Sequence, residues 1–197
     1  MNEMVKMVVV LTVLSSISGG VLAGLRDGTA ARIERQELEY VKGPAIRQIL
    51  NEASNDPVED RFKLTVNEKP MGFYVGEYDG EPKVVCFETT GKGYGDVFGL
   101  MVAVDTAADQ MVGIGVTTHK ETPGLGAQAK DDPSFAAQFK GLPIDKPFKV
   151  TTDGGSINAL SGATITSRAV CDAATEAMNL YRDIKPQLTA QMASFAK

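Results

Sequence analysis

Three stretches of this chain hold residue types that do chemistry at spacings that packing does not require. The first is Gly91-Lys92-Gly93-Tyr94-Gly95-Asp96. The second is His119-Lys120-Glu121-Thr122-Pro123-Gly124-Leu125-Gly126. The third runs from Asn158 through Ser161-Gly162-Ala163-Thr164 to Thr166-Ser167. Each reads as a glycine-rich loop at a strand end, and glycine there permits positive φ and a close approach of backbone to a ligand. The third leads into a helix, whose free N–H groups and positive dipole end favour a phosphate. The hydroxyls of Ser161, Thr164, Thr166 and Ser167 converge on that start. The chemistry implied is the holding of a phosphorylated ligand over loops. Ordinary turns and caps are the competing reading, with Thr166 or Ser167 as the N-cap and Thr164 a plain helix-start residue.

The elements that must position these loops read as follows. Phe62, Leu64 and Val66 alternate with polar residues, as in a strand. Gly72–Tyr78 and Lys83–Glu88 form a hairpin about Asp79-Gly80. Leu100–Val104 and Met111–Thr118 form a second pair. Asp131-Asp132-Pro133 opens a helix through Phe139. Phe148–Thr152 is read as a short strand. Val170, Ala174, Ala177, Met178 and Tyr181 are the inner face of a helix through Arg182 that Pro186 ends. Hairpins with separate helices give an α+β fold, an antiparallel sheet with flanking helices.

Upstream, Met7–Leu25 carries no charged side chain and is bracketed by Lys6 and Arg26. About 20 apolar residues span a bilayer, so this is read as one N-terminal transmembrane helix; a cleaved signal peptide is the alternative. Gly20 and Gly24, with Ser16 a turn earlier, form a small-residue stripe that another helix can approach closely. Arg26–Lys42 is helix-permissive until Gly43-Pro44, and Ile46, Ile49 and Leu50 continue as a short amphipathic helix. The expected organisation is a tail (1–6), an anchor (7–25), a helical stalk (26–60), a folded domain (61–183) and a polar tail (184–197). Arg26, Arg32 and Arg35 outnumber Lys6, and charge counting alone puts the domain in the cytoplasm.

Composition excludes several classes. The 197 residues carry a net charge of −5, which argues against nucleic-acid binding. One histidine, His119, cannot build a multi-histidine metal site. Cys86 and Cys171 lie far apart and form no CxxC, which removes cysteine-ligated iron–sulfur clusters and zinc ribbons. Both read as buried small apolar residues. Lys146 and Lys149 are candidates to offset a phosphate charge, or are simply solvated.

His119 to Gly126 followed by Ser161-Gly162-Ala163-Thr164-x-Thr-Ser resembles the FMN-binding domain of the Rnf and Nqr electron-transport complexes, and most of all the G subunits of Rnf. The likeness runs from about Phe62 to Met178, and the anchor fits it. It implies a covalent flavoprotein subunit, with no complete active site of its own, that relays electrons between ferredoxin and NAD in an ion-translocating oxidoreductase. The cofactor implied is FMN, joined by a phosphoester to Thr164 by a separate flavin transferase that consumes FAD and needs a divalent metal. Ser161, Gly162 and Ala163 would flank the attachment point. Glu121, Thr122, Gly124 and Leu125 would lie beside the isoalloxazine ring, and Tyr94 near it. His119 would position its loop, with proton exchange at flavin N5 a remote second role. The partners implied are the other membrane and iron–sulfur or flavin subunits. The implied location is the cytoplasmic (inner) membrane with the domain extracytoplasmic, against the charge count. A C-type subunit of a Na+-translocating NADH:quinone reductase, or a membrane sensor using the same domain, are the alternatives. One departure stands out: the family motif usually begins with an acid where this chain has Asn158, and Asp153 is out of register. The resemblance implies that Asn158 slows flavin attachment or reflects an altered transferase.

Overall fold

The computed structural model describes residues 2–195. The chain divides into two compact units between Tyr40 and Val41.

The first unit is built on helix α1 (Glu3–Glu37). None of its residues is buried, and it is long and apolar enough to cross a bilayer. Within the apolar stretch the Thr12 hydroxyl donates to the Val8 carbonyl at 2.8 Å, so this polar group is satisfied inside the helix. A Cβ added at Gly20 or Gly24 would meet nothing within 4 Å, which leaves the small-residue stripe open.

A π-helical turn (Leu38–Lys42) precedes α2 (Gly43–Ile49). The helical backbone therefore passes through Gly43-Pro44, where a break was expected. Proline removes one backbone donor from this run, and the adjoining π turn is the kind of local adjustment that accommodates it. Ile46 and Leu50 are buried, as is Val58 beyond them. Residues 43–60 thus belong to the folded domain, where a stalk was expected.

Five strands follow: β1 (Arg61–Val66), β2 (Lys69–Tyr78), β3 (Glu81–Lys92), β4 (Val97–Asp105) and β5 (Gln110–Val116). They form one antiparallel meander in chain order. Asp79 (φ 56°) and Gly80 (φ 79°) both take positive φ, the geometry of the tight turn that matches strand twist. The sheet is covered on both faces, which explains the unbroken apolar runs in β3 and β4. Phe73, Val75, Phe87, Leu100 and Val102 join a core with Val170, Ala174, Met178 and Tyr181 of the long C-terminal helix, Thr164–Met192. Residues between them, such as Tyr74, Cys86 and Met101, are buried on the opposite face. There α2 packs against β4 and β5, and Gly113 and Gly115 make room for Ile49 and Ala45.

Two short helices follow the sheet, α3 (Gln128–Asp131) and α4 (Pro133–Ala137), and the long C-terminal helix is α5 (Thr164–Met192). The Asp132 side chain caps α4 by accepting from the Ser134 N–H at 2.9 Å. Phe148–Thr152 is not a strand. Phe148 and Val150 are buried in alternation, but the pairing amounts to one bridge from Val150 to Ile157, and a 3-10 turn takes over at Thr151. Pro186 does not end α5, which continues to Met192. Tyr181 and Lys185 donate to Asp109, and Arg182 to the Ile144 carbonyl, pinning the helix just before the proline. Ile184, Leu188 and Met192, one turn apart, then bury against the core. The segment expected as a polar tail is therefore mostly core helix.

Cys86 and Cys171 are both free and buried. Burial pushes the Cys171 thiol up to about 12 and raises that of Cys86 as well.

Candidate functional site

The three glycine-rich stretches meet. A cleft of about 480 Å³ is lined by Tyr94 from the first, by Glu121, Thr122, Leu125 and Gly126 from the second, and by Gly162 to Thr166 from the third. The volume lies in the range of small-molecule sites. Its rim is apolar and open: Tyr94 is 72% exposed, Leu125 45% and Ile165 55%. Glu121, by contrast, is buried at 7% exposure.

The start of α5 forms one wall. Thr164 is its first residue, Ala163 is the N-cap, and no side chain caps it. The Ser167 N–H is bonded to the Ala163 carbonyl at 3.0 Å. The N–H groups of Thr164, Ile165 and Thr166 precede it and have no intrahelical acceptor, which makes this wall a receptor for an anion. The expectation that Thr166 or Ser167 caps the helix is corrected by where their hydroxyls go. Thr166 Oγ1 donates to Glu121 Oε2 at 2.7 Å. Ser167 Oγ donates to the Ala163 carbonyl at 3.0 Å and accepts from the Leu160 N–H at 2.9 Å. Both residues are buried, whereas Thr164 is half-buried and lines the cleft. Ser161 is exposed but lies outside the lining.

The acidic loop is fixed from several sides. Glu121 Oε1 accepts from the Gly95 N–H at 3.0 Å, and His119 Nδ1 accepts from the Glu121 N–H at 3.3 Å. Lys120 pairs with Asp96 at 2.6 Å, tying this loop to the Tyr94 loop a second time. That pairing holds the Asp96 carboxyl below its usual range and raises the Lys120 ammonium. Gly124 (φ 72°) turns the loop but does not line the cleft.

Among the described residues no lysine or arginine lines the cleft. Arg168, one turn along α5, is committed to Asp153 through two bonds of 2.6 and 2.8 Å. It holds the Asp153 carboxyl below its usual range. Lys146 and Lys149 are exposed and stand outside the lining. Asn158 also stands outside; the Gln138 side chain grips its backbone, accepting at 2.7 Å and donating at 3.3 Å. Asp153 is thus occupied by Arg168 and does not stand in for the missing acid. Among the described residues no group of three His, Cys, Asp or Glu side chains is placed to hold a metal.

Sequence reading did not assign Gly126 or Ile165 to the site, and it offered Thr166 only as one of the helix-start hydroxyls, not as a partner of Glu121. The signal for that pairing was present only indirectly, in the glycines around Glu121. A Cβ at Gly93 or Gly126 would run into the Glu121 carboxylate, and one at Gly95 into the Lys120 carbonyl.

The FMN-binding domain family matches residues 93–179, a span containing every lining residue. The G subunit of the ion-translocating oxidoreductase complex of Cereibacter sphaeroides is 35% identical over 191 residues, covering 92% of this chain and 86% of that protein. The corresponding G subunit of Methanosarcina acetivorans is 30% identical over 180 residues, covering 90% and 94%. Among solved structures, the crystal structure of Shewanella oneidensis NqrC aligns with a TM-score of 0.54 and 23% identity, covering 71% of this chain and 73% of that one. That likeness is one of fold: an antiparallel sheet with flanking helices. With the FMN-binding match and relatives that align over nearly the whole chain, the protein belongs to the family of G subunits of the ion-translocating oxidoreductase complex.

Proposed function

We propose that this chain is a membrane-anchored flavoprotein subunit relaying electrons within an Rnf-type ferredoxin–NAD oxidoreductase coupled to ion translocation, its FMN joined by a phosphoester to Thr164. One observation carries the attachment site. Of the four hydroxyls around the helix start, only that of Thr164 both lines the cleft and is free of an internal bond holding the fold. The residues present fit this cofactor. Three open N–H groups at the start of a 29-residue helix suit a phosphate, and Tyr94, Leu125 and Ile165 offer apolar surface to a flat ring. Pro123 and Gly124 let the loop turn beside that surface.

FMN supplies one- and two-electron transfer at a single ring. The chain's part is to hold it. With no lysine or arginine among the described lining residues, retention rests on the ester, on the N–H groups of the helix start and on apolar contact rather than on a cationic side chain. The ester also removes one ionisable phosphate oxygen, which suits a wall built from N–H dipoles alone. The open rim leaves the ring reachable by a neighbouring subunit. Helix α1 supplies the anchor, and its open Gly20/Gly24 stripe offers a seat against other membrane helices. A flavin transferase is the maturation partner.

Co-expression with a flavin transferase is expected to give a chain whose flavin absorbance stays with the protein after denaturation. Flavin that separates on denaturation refutes the covalent bond.

The domain is proposed to face away from the cytoplasm. Ser194 is exposed beyond α5, and Ser194→Cys provides a reporter there. Cys86 and Cys171, buried with raised thiol pKa values, contribute no background in the folded chain. An impermeant maleimide is expected to label the variant in intact cells and to leave the parent chain unlabelled. Labelling of the variant only after lysis reverses the orientation.

A further inference from the structure

We propose that Glu121 is a positioning residue: its carboxylate ties the Tyr94 loop to the first turn of α5 and thereby sets the cleft that holds the cofactor. The cofactor part of this statement rests on the function proposed above. The tie itself does not.

A buried carboxylate is costly unless hydrogen-bonded. Here one oxygen receives the Gly95 N–H and the other the Thr166 hydroxyl, so both are used inward. Both donors are neutral, and the positive end of α5 supplies the compensating field. Three glycines, 93, 95 and 126, crowd around this one loop because side chains there would strike the carboxylate or the neighbouring carbonyl. Tyr94 sits between two of them, and Thr164 lies two residues before Thr166. The carboxylate therefore links the ring-side tyrosine and the attachment threonine through their immediate neighbours. It acts on the flavin through them and not as a free charge pointing at the ring.

The test uses the full-length chain in detergent, with and without co-expressed flavin transferase, and compares Glu121→Ala, Glu121→Gln and Thr166→Val. The readouts are amide hydrogen exchange at Gly95 and the visible circular dichroism of the attached flavin. In Glu121→Ala, exchange at Gly95 is expected to accelerate about tenfold or more, since a hydrogen bond to a charged group is lost. The flavin band should shrink with it. Glu121→Gln should restore both, because its amide oxygen still accepts from Gly95 and its NH2 donates to Thr166 Oγ1. Rescue by the neutral isostere separates positioning from charge. Thr166→Val keeps the side-chain shape and breaks only the helix half of the tie. It should shrink the flavin band while leaving Gly95 protected, and it decides the matter if Glu121→Ala does not fold. Parent-like exchange at Gly95 in Glu121→Ala, or a parent-like flavin band in Thr166→Val, overturns the proposal. Exchange is also read in the chain without flavin. A parent chain that never acquires flavin therefore refutes the cofactor reading and leaves the tie standing.

Discussion

Thr164→Ala is expected to yield a folded chain that carries no covalent flavin, and Thr164→Ser to retain it. The loss is expected to be complete because the other hydroxyls around the helix start are unsuitable for reasons seen in the structure. Thr166 and Ser167 are buried and bonded internally, and Ser161 lies outside the cleft. The substitution is mild for the fold. Thr164 is half-buried at the first position of α5 and caps nothing, and alanine is the best helix former. Stability should stay within about 0.5 kcal/mol of the parent, as for most surface changes. Intact mass spectrometry after co-expression with the transferase measures the first part and thermal unfolding the second. Covalent flavin in the alanine variant moves the attachment to another exposed hydroxyl, Thr122 in the cleft lining or Ser161 beside it.

Leu188→Ala is expected to destabilise the domain by roughly 2–5 kcal/mol, the range for emptying a buried leucine site. Leu188 is fully buried, two residues past the proline that composition alone reads as a helix end. Proline in a helix interior costs about 3 kcal/mol by removing a donor and crowding the carbonyl four residues back. Burial of Ile184, Leu188 and Met192 against the sheet core offsets that cost. Chemical denaturation followed by far-ultraviolet circular dichroism measures the change. A midpoint equal to that of the parent would show that the last turns of α5 do not dock. Flavin attachment is a second readout, expected to persist because Leu188 lies far along α5 from Thr164.

What was legible in the sequence is what local pattern determines. Asp79-Gly80 between two alternating runs is a turn by its own backbone preferences, and the structure places both residues at positive φ. The inner face of α5 follows from its period. The glycine-rich loops announce a ligand site, and their grouping around one cleft agrees with that. What was not legible depends on partners distant in the chain. Phe148–Thr152 alternates like a strand, but alternation reports burial, and a strand also needs a free neighbouring edge. Thr166 has the chemistry of a cap, yet its hydroxyl serves an acid in another loop, and no local rule reveals that. Pro186 reads as a stop because the local cost is visible and the distant compensation is not. Residues 43–60 read as a stalk because Ile46 and Leu50 look like an isolated short helix until the second face of the sheet is there to receive them.

The meander has a consequence for the order of events in folding. Each strand pairs with the next in sequence, so the sheet is built by closing short loops, the inexpensive kind. The cleft closes a much longer one, since the Glu121–Thr166 bond joins residues 45 apart. As the chain is completed from its N-terminus, the five strands are present before the first turn of α5 exists. The cofactor wall needs this longer closure as well as the sheet, so flavin attached at Thr164, as proposed, would report that both have formed. Time-resolved refolding with the transferase present should show the sheet signal saturating before any flavin is incorporated.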